Sequence, residues 1–300
     1  MLESAASLEA PVMRLLEERL RRRERGELGD VLGLASGFSR LDRMLNGLQP
    51  GLYVLAGAPS VGKTTFLVQL ADQVAAASNA RLLLVSFENP RENLVLKSLA
   101  RLARRDCLEL ERGRVPLPEV RRAWERYAAV AHRIYLVEGG PQVTLDWLRA
   151  QVSEVKRQGG PCVLLLDYLQ KMLVNVAGNG STKEKADLLA MGLRGLSRDL
   201  ETPVVTVSSQ SRAGYQGGGG PRISTLATLK ESGEIEYSAD VVLHLRPCEP
   251  NDPRAGQAGG GRARPIWLDV EKNRYGEKGE VALTFHPALA SFYEEGEHAV

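Results

Sequence analysis

The sequence is poor in cysteine and histidine, and this scarcity argues against metal-binding and disulfide-rich classes of protein. Three cysteines and four histidines are scattered through 300 residues, and no pair of cysteines has the spacing of a metal-binding motif. We therefore expect Cys107, Cys162 and Cys248 to be free and mostly buried thiols. Such thiols are typical of a reducing compartment, so we expect the protein to be cytoplasmic.

Long apolar runs and a strong excess of one charge are missing as well. No stretch approaches the ~18 apolar residues that a membrane-spanning helix needs, and the first residues lack the regions of a signal peptide. We expect no membrane partner. The net charge is only +2, which does not by itself indicate nucleic-acid binding. With 43% hydrophobic and 25% charged residues, the composition is that of an ordinary globular protein.

What the sequence does contain, after residue 50, is an alternation of short apolar runs with helical patterns. Together these predict an α/β fold with a mostly parallel sheet flanked by helices. The predicted strands lie at 52–56, 82–87, 134–137, 162–167, 203–208 and 240–245. The predicted helices lie at 63–77, 91–105, 118–132, 144–158 and 183–200. Three further segments predict antiparallel strands at the C-terminal end: 265–272, 280–286 and 291–294.

The most specific motif, G-x-x-x-x-G-K-[ST], occupies residues 57–64 between a predicted strand and a predicted helix. In this context it predicts a phosphate-binding loop, whose backbone surrounds a polyphosphate at a helix N-terminus. We expect Lys63 to bind the outer phosphates of ATP and Thr64 to bind Mg²⁺. A chance match in a strand-to-helix turn is the alternative. The predicted nucleotide contacts are Gly57, Ala58, Pro59, Ser60, Val61, Gly62, Lys63, Thr64 and Thr65.

Three more predicted strands end in polar side chains that suit the same site. Asp167 follows an apolar strand and is predicted to be a second Mg²⁺ ligand; an exposed strand end is the alternative. Glu88 is expected at the same edge of the sheet, where it would orient or deprotonate a water; a surface or helix-capping glutamate is the alternative. Gln210 would sense the γ-phosphate, or it is an ordinary loop amide.

Lys272 and Arg274 are two residues apart beside a glycine turn, so we expect them to share one face of a strand tip. Such a pair suits a γ-phosphate presented by another subunit, where an arginine stabilises transition-state charge. A solvated pair on a hairpin is the alternative.

Residues 7–25 predict an amphipathic helix before the sheet begins. Its apolar face carries Leu8, Val12, Leu15, Leu16 and Leu20 and needs a partner, which makes the helix a candidate for docking on another subunit. Its arginine cluster, at Arg21, Arg22, Arg23 and Arg25, is either a solvated face or a DNA contact.

From about residue 30 to the end, the order of these blocks resembles the C-terminal motor domain of the DnaB-type replicative DNA helicases. These are hexameric members of the RecA-like ATPases. The resemblance rests on the phosphate loop and on the segments 37–51, 86–89, 167–170, 208–212, 230–240 and 272–274. It implies a linker helix within residues 1–30, which docks on the adjacent subunit, and a motor domain over residues 31–300.

The resemblance also implies roles for individual residues. Glu88 resembles the catalytic glutamate, Gln210 the sensor, and Lys272 and Arg274 the basic pair supplied to a neighbouring site. The loops after Asp167 and Gln210 would line a central channel. Lys230, Glu231 and Gly233 would touch the backbone of single-stranded DNA there, although the family usually has arginine at the position of Lys230.

The implied function is ATP-dependent translocation on single-stranded DNA with unwinding of the duplex, by a hexameric ring. Primase and a helicase loader are the implied further partners. The family's N-terminal collar domain has no counterpart in the sequence, so we expect a motor fragment or a compact enzyme without a collar. Two alternatives are a RecA-like DNA-dependent ATPase that loads, remodels or supports recombination without unwinding, and a non-catalytic DNA-binding scaffold.

Overall fold

The apolar strands form one mixed sheet in the computed structural model of the protein, which describes residues 4–24, 31–172, 182–209, 237–249, 252–254 and 263–295. The strands in chain order are β1 (Gly51–Gly57), β2 (Arg81–Ser86), β3 (Ile134–Glu138), β4 (Cys162–Asp167), β5 (Pro203–Ser209), β6 (Val241–Pro247), β7 (Arg264–Asn273), β8 (Gly279–His286) and β9 (Ser291–Glu294). Across the sheet they are ordered β3-β2-β4-β5-β1-β6-β7-β8-β9.

Helices follow the parallel strands β1, β2, β3 and β4, as the alternating pattern predicts. They are α1 (Glu9–Glu24), α2 (Ser39–Leu45), α3 (Lys63–Ala77), α4 (Arg91–Ala103), α5 (Cys107–Glu111), α6 (Leu117–Ala131), α7 (Leu145–Arg157) and α8 (Thr182–Asp199). The predicted mostly parallel sheet, flanked by helices and extended by antiparallel strands, is therefore confirmed.

The core lies on both faces of the parallel strands, because consecutive residues of these strands are apolar and their side chains point alternately to the two faces. Tyr53 and Leu55 of β1 point to the face covered by α3, where they belong to a cluster with Phe66 and Val74. Their neighbours along β1, including Val54, belong to the cluster formed with α7 and α8 on the other face. Alternate side chains of one strand thus bury into two layers of helices.

Parallel pairing brings the carboxyl ends of six strands, β1 to β6, to one edge of the sheet. Gly57 at the end of β1 pairs with Ser209 at the end of β5. Ser86 at the end of β2 pairs with Asp167 at the end of β4. We call this the loop edge, because the phosphate-loop motif follows β1 there. Ligands of open α/β sheets bind at such an edge.

The antiparallel strand β7 runs in the reverse direction beside β6. Leu245, which neighbours Gly57, pairs with Leu268 in the first half of β7. Val241, which neighbours Tyr53, pairs with Asn273 at the end of β7. The end of β7 therefore lies at the edge opposite the loop edge.

Two short helices, α2 and α5, were not predicted from the sequence. The first turn of α2 is stabilised by Glu294 of β9, whose carboxylate accepts hydrogen bonds from the backbone nitrogens of Arg40 (2.9 Å) and Leu41 (3.2 Å). The first backbone N–H groups of a helix are usually capped by a neighbouring side chain, but here the acceptor comes from the last strand. No local capping residue therefore marks the start of α2 in the sequence. The helix α5 has only five residues, too few for a hydrophobic period to appear.

The N-terminal helix forms where it was predicted, after a 3₁₀ turn at Ala5–Leu8. Its apolar residues are exposed; Leu20, for example, is 58% exposed. None of the helices in the described ranges has the length and apolar composition needed to cross a membrane.

All three cysteines are free, as predicted, but only Cys162 is buried. Burial raises the pKa of the Cys162 thiol to about 12. The expectation of mostly buried thiols was wrong for Cys107 and Cys248, which are half-buried.

Candidate active site

The phosphate-loop motif forms a tight turn between β1 and α3, and two of its glycines are needed for that shape. Gly62 has φ +103°, and a Cβ atom there would lie 2.8 Å from Cζ of Phe292. Gly57 has φ +155°, and a Cβ atom there would lie 2.6 Å from the carbonyl oxygen of Leu245. Only glycine fits both positions, so the backbone can form a concave turn at the N-terminus of α3.

Lys63, the first residue of α3, is folded onto the loop. Its Nζ donates hydrogen bonds to the carbonyl oxygens of Gly57 and Ala58, both at 2.8 Å. Burial lowers the pKa of Lys63, while the nearby carboxylates of Asp167 and Glu88 act in the opposite direction. The ammonium group thus stands in a partly desolvated place where an anion such as a phosphate would interact with it strongly.

Thr64 and Asp167 meet directly, although they are far apart in sequence. The Thr64 hydroxyl donates a hydrogen bond of 2.8 Å to Oδ2 of Asp167, at the end of β4. Burial raises the pKa of Asp167, while the bond from Thr64 lowers it and the charge of Glu88 raises it further. A hydroxyl and a carboxylate are oxygen ligands of the kind that Mg²⁺ prefers, so this pair fits a magnesium ion.

Glu88 completes the cleft on the side of β2. It follows the strand, is exposed, and lines a cavity of about 690 Å³ together with Lys63, Thr64, Thr65 and Asp167. The structure therefore brings together the predicted residues of the loop, the strand end at Asp167 and the carboxylate of Glu88.

The same cleft includes residues to which the sequence analysis gave no role. Asn89, which follows β2, and Lys97 of α4 line it, as does Arg264 at the start of β7. Arg264 also lines a neighbouring apolar cavity of about 360 Å³, with Pro59, Val61, Pro265, Ile266 and Phe285. No motif marks Lys97 or Arg264, and Arg264 reaches the loop only because β7 folds back beside β6.

Lys272 and Arg274 lie at the edge opposite the loop edge, at the tip of β7. Both side chains donate to the carbonyl oxygen of Tyr237, at 3.3 Å from Lys272 and 3.4 Å from Arg274, so they lie on the same side of the strand tip. The seven residues of β1 span roughly 20 Å between the two edges. Within one chain the pair therefore does not reach the cleft around Lys63.

Four predicted site residues lie outside the described residues: Gln210, Lys230, Glu231 and Gly233. Their predicted roles stay predictions.

Known proteins resemble this chain over most of its length. The sequence model of the family described as the DnaB-like helicase C terminal domain matches residues 33–294. The chain belongs to this family. The replicative DNA helicase DnaB of Haemophilus influenzae is 30% identical over 269 residues, which are 87% of this chain and 55% of that protein. The DnaB of Geobacillus stearothermophilus is 28% identical over 262 residues, 86% of this chain and 55% of that protein.

Solved structures show the same fold. One of them, described as an ATPase domain, superimposes with a TM-score of 0.82 at 21% identity, covering 97% of this chain and 99% of that chain. A structure of a DnaB-like replicative helicase and its interactions with primase gives 0.76 at 21% identity, covering 97% of this chain and 67% of that chain. The chain spans about half the length of the DnaB relatives it matches.

Proposed function

We propose that this chain is the ATP-hydrolysing motor of a replicative-type DNA helicase, which translocates on single-stranded DNA and unwinds the duplex. The observation that carries the proposal is the cleft at the loop edge, where Lys63, the Thr64–Asp167 pair and the Glu88 carboxylate converge. Membership of the DnaB-like helicase C terminal domain family supports it.

The predicted residues of the cleft each have a role in ATP hydrolysis. The loop backbone from Gly57 to Thr65 holds the phosphates, and Lys63 exchanges its bonds to the loop carbonyls for bonds to phosphate oxygens. Thr64 and Asp167 would hold Mg²⁺, which when bound would neutralise phosphate charge. Glu88 orients the attacking water and accepts its proton.

The second half of the site comes from a neighbouring copy. Since Lys272 and Arg274 lie at the opposite edge of their own sheet, we propose that they serve the cleft of another subunit, where Arg274 stabilises the transition state. This requires a homo-oligomer, which we propose is a hexameric ring held partly by docking of α1 on its neighbour.

The remaining roles follow the family pattern. We propose that Gln210 senses the γ-phosphate and that Lys230, Glu231 and Gly233 contact the backbone of single-stranded DNA in the central channel. Contacts to the DNA backbone allow a protein to bind single strands of any base sequence. One solved relative is described with its interactions with primase. We propose primase and a helicase loader as partners of this protein, acting in the cytoplasm.

The decisive experiment is ATP-dependent strand displacement on a fluorescent forked DNA, with Lys63→Ala as the matched control. We expect the wild type to unwind the fork and Lys63→Ala neither to unwind it nor to hydrolyse ATP. DNA-stimulated hydrolysis without unwinding would favour a RecA-like ATPase with a loading or remodelling role. Near-normal hydrolysis by Lys63→Ala would overturn the assignment of the phosphate loop.

A further inference from the structure

The carboxylate of Asp240, just before β6, holds two arginines at once. Its Oδ1 lies 3.1 Å from Nη1 of Arg274 and 3.2 Å from Nη2 of Arg194, which belongs to α8. Its Oδ2 accepts a hydrogen bond of 3.0 Å from the backbone nitrogen of Leu52. The backbone of Asp240 also accepts from the backbone nitrogen of Arg274, at 3.1 Å.

The three side chains differ in their exposure to solvent. The side chain of Asp240 is only 9% exposed, whereas those of Arg194 and Arg274 are 42% and 43% exposed. The carboxylate is thus largely desolvated, whereas part of each arginine side chain is accessible to solvent.

The proposed role of Arg274 requires its guanidinium to move away from Asp240. A guanidinium that binds a phosphate of the neighbouring subunit gives up its bond to Asp240. A desolvated carboxylate that loses its counterion is strongly destabilised, and this cost would hold Arg274 in place. Arg194 bonds the same oxygen, so it keeps the carboxylate paired after Arg274 has left.

We propose that Arg194 is a positioning residue for ATP hydrolysis: it is the counterion that remains on Asp240 when Arg274 engages the neighbour's phosphate. The inference rests on the proposed action of Arg274 on a neighbouring site. It adds a residue that touches neither the nucleotide nor the cleft of its own subunit.

The test compares steady-state ATP hydrolysis by DNA-bound oligomers of the wild type and of Arg194→Gln. We expect kcat to fall about tenfold while KM for ATP stays within about twofold, because the change hinders a step after ATP binding. Arg194→Lys retains the positive charge and is expected to recover most of kcat. Arg198→Gln is the matched control, since Arg198 lies one turn further along α8, is 85% exposed and bonds Asp199.

A second change distinguishes positioning from a general structural role. Asp240→Asn removes the negative charge that needs a counterion, and an asparagine amide oxygen at this position still accepts the bond from Leu52. We therefore expect Asp240→Asn to restore kcat when it is added to Arg194→Gln. A structural defect caused by the loss of Arg194 would persist in the double variant.

The outcomes also separate this inference from the proposed function. Wild-type turnover by Arg194→Gln, or a loss that Asp240→Asn does not restore, overturns the inference. If Arg274→Ala abolishes hydrolysis while Arg194→Gln is normal, the inference alone is wrong. If Arg274→Ala binds nucleotide and hydrolyses ATP as the wild type does, both the inference and the proposed action of Arg274 on a neighbour are wrong.

Discussion

At the scale of single residues, the cleft contains two groups whose charged forms are disfavoured by their surroundings. Burial lowers the pKa of Lys63 and raises the pKa of Asp167. Both shifts have the sign expected when desolvation outweighs the attraction between a cation and an anion. A phosphate next to Lys63 and a metal ion next to Asp167 would each favour the charged form, so binding of Mg²⁺–nucleotide at the proposed site would offset the unfavourable burial of these groups.

A pH dependence follows from the raised pKa of Asp167. Only the deprotonated carboxylate binds Mg²⁺, and a raised pKa means that protons compete with the metal at a higher pH than at an ordinary aspartate. We expect the gain in affinity for a fluorescent ADP analogue upon Mg²⁺ addition to shrink as the pH falls from about 8 to about 5. Asp167→Asn is the control, because protonation of the nucleotide itself affects both proteins. Equal pH dependence in the two would contradict the prediction.

The shape of the phosphate loop leads to a stability prediction. An alanine at Gly62 must adopt φ +103° and place its Cβ 2.8 Å from Cζ of Phe292, so we expect Gly62→Ala to lower the free energy of unfolding by about 1–3 kcal/mol. The matched change is Gly195→Ala within α8, where a Cβ meets no atom within 4 Å and should stabilise the helix by about 1 kcal/mol. Chemical denaturation of both variants measures the difference; a Gly62→Ala protein as stable as the wild type would show that the loop rearranges.

At the scale of helices and strands, the sequence predicted what depends on local pattern. Continuous apolar runs such as 162–167 identified buried strands, and the 3.6-residue period identified the long helices. The helix α2 was not predicted because Glu294, which caps it, lies on the last strand. The order of the strands in the sheet was not predicted either, since it depends on which distant segments pair.

The residues of the site likewise fall into those with a local sequence signal and those that depend on long-range contacts. The phosphate loop and the strand end at Asp167 carry local signals and could be found from the sequence. The contribution of Arg264 to the cleft depends on the pairing of β7 with β6. The carboxylate of Asp240 contacts both Arg194, on α8, and Arg274, just after β7. No spacing in the sequence predicts that contact.

The exposed apolar face of α1 leads to a prediction about assembly. Leu16 and Leu20 are 50% and 58% exposed, so replacing both with glutamate costs the isolated fold little. We expect Leu16→Glu with Leu20→Glu to reduce the oligomer mass seen by light scattering while leaving the thermal unfolding temperature of the monomer unchanged. Arg14→Glu with Arg21→Glu adds the same number of glutamates to the opposite face and should assemble normally. An unchanged mass in the leucine variant would remove α1 from the interface.

At the scale of the whole molecule, the proposed site is divided between two copies of the chain, and mixing experiments can test this division. Lys63→Ala and Arg274→Ala are each expected to be inactive. In mixed oligomers, however, an intact loop from one variant meets an intact Arg274 from the other at about a quarter of random interfaces. We therefore expect hydrolysis to reappear on mixing, at about a quarter of the wild-type rate. No recovery, despite subunit exchange shown by fluorescence energy transfer, would mean that Arg274 does not act on a neighbour.

If Arg274 serves a neighbouring cleft as proposed, the reversed direction of β7 makes activity depend on protein concentration. A subunit then receives Arg274 of one neighbour at its loop edge and provides its own Arg274 from the opposite edge, so subunits associate head to tail. In an open row, the loop edge of one end subunit therefore has no Arg274 from a neighbour. A dimer of this kind would have one complete cleft, and only a closed arrangement gives every subunit one. Turnover per subunit should then rise with concentration in proportion to the fraction of subunits whose cleft is complete, and reach its plateau only when no open ends remain.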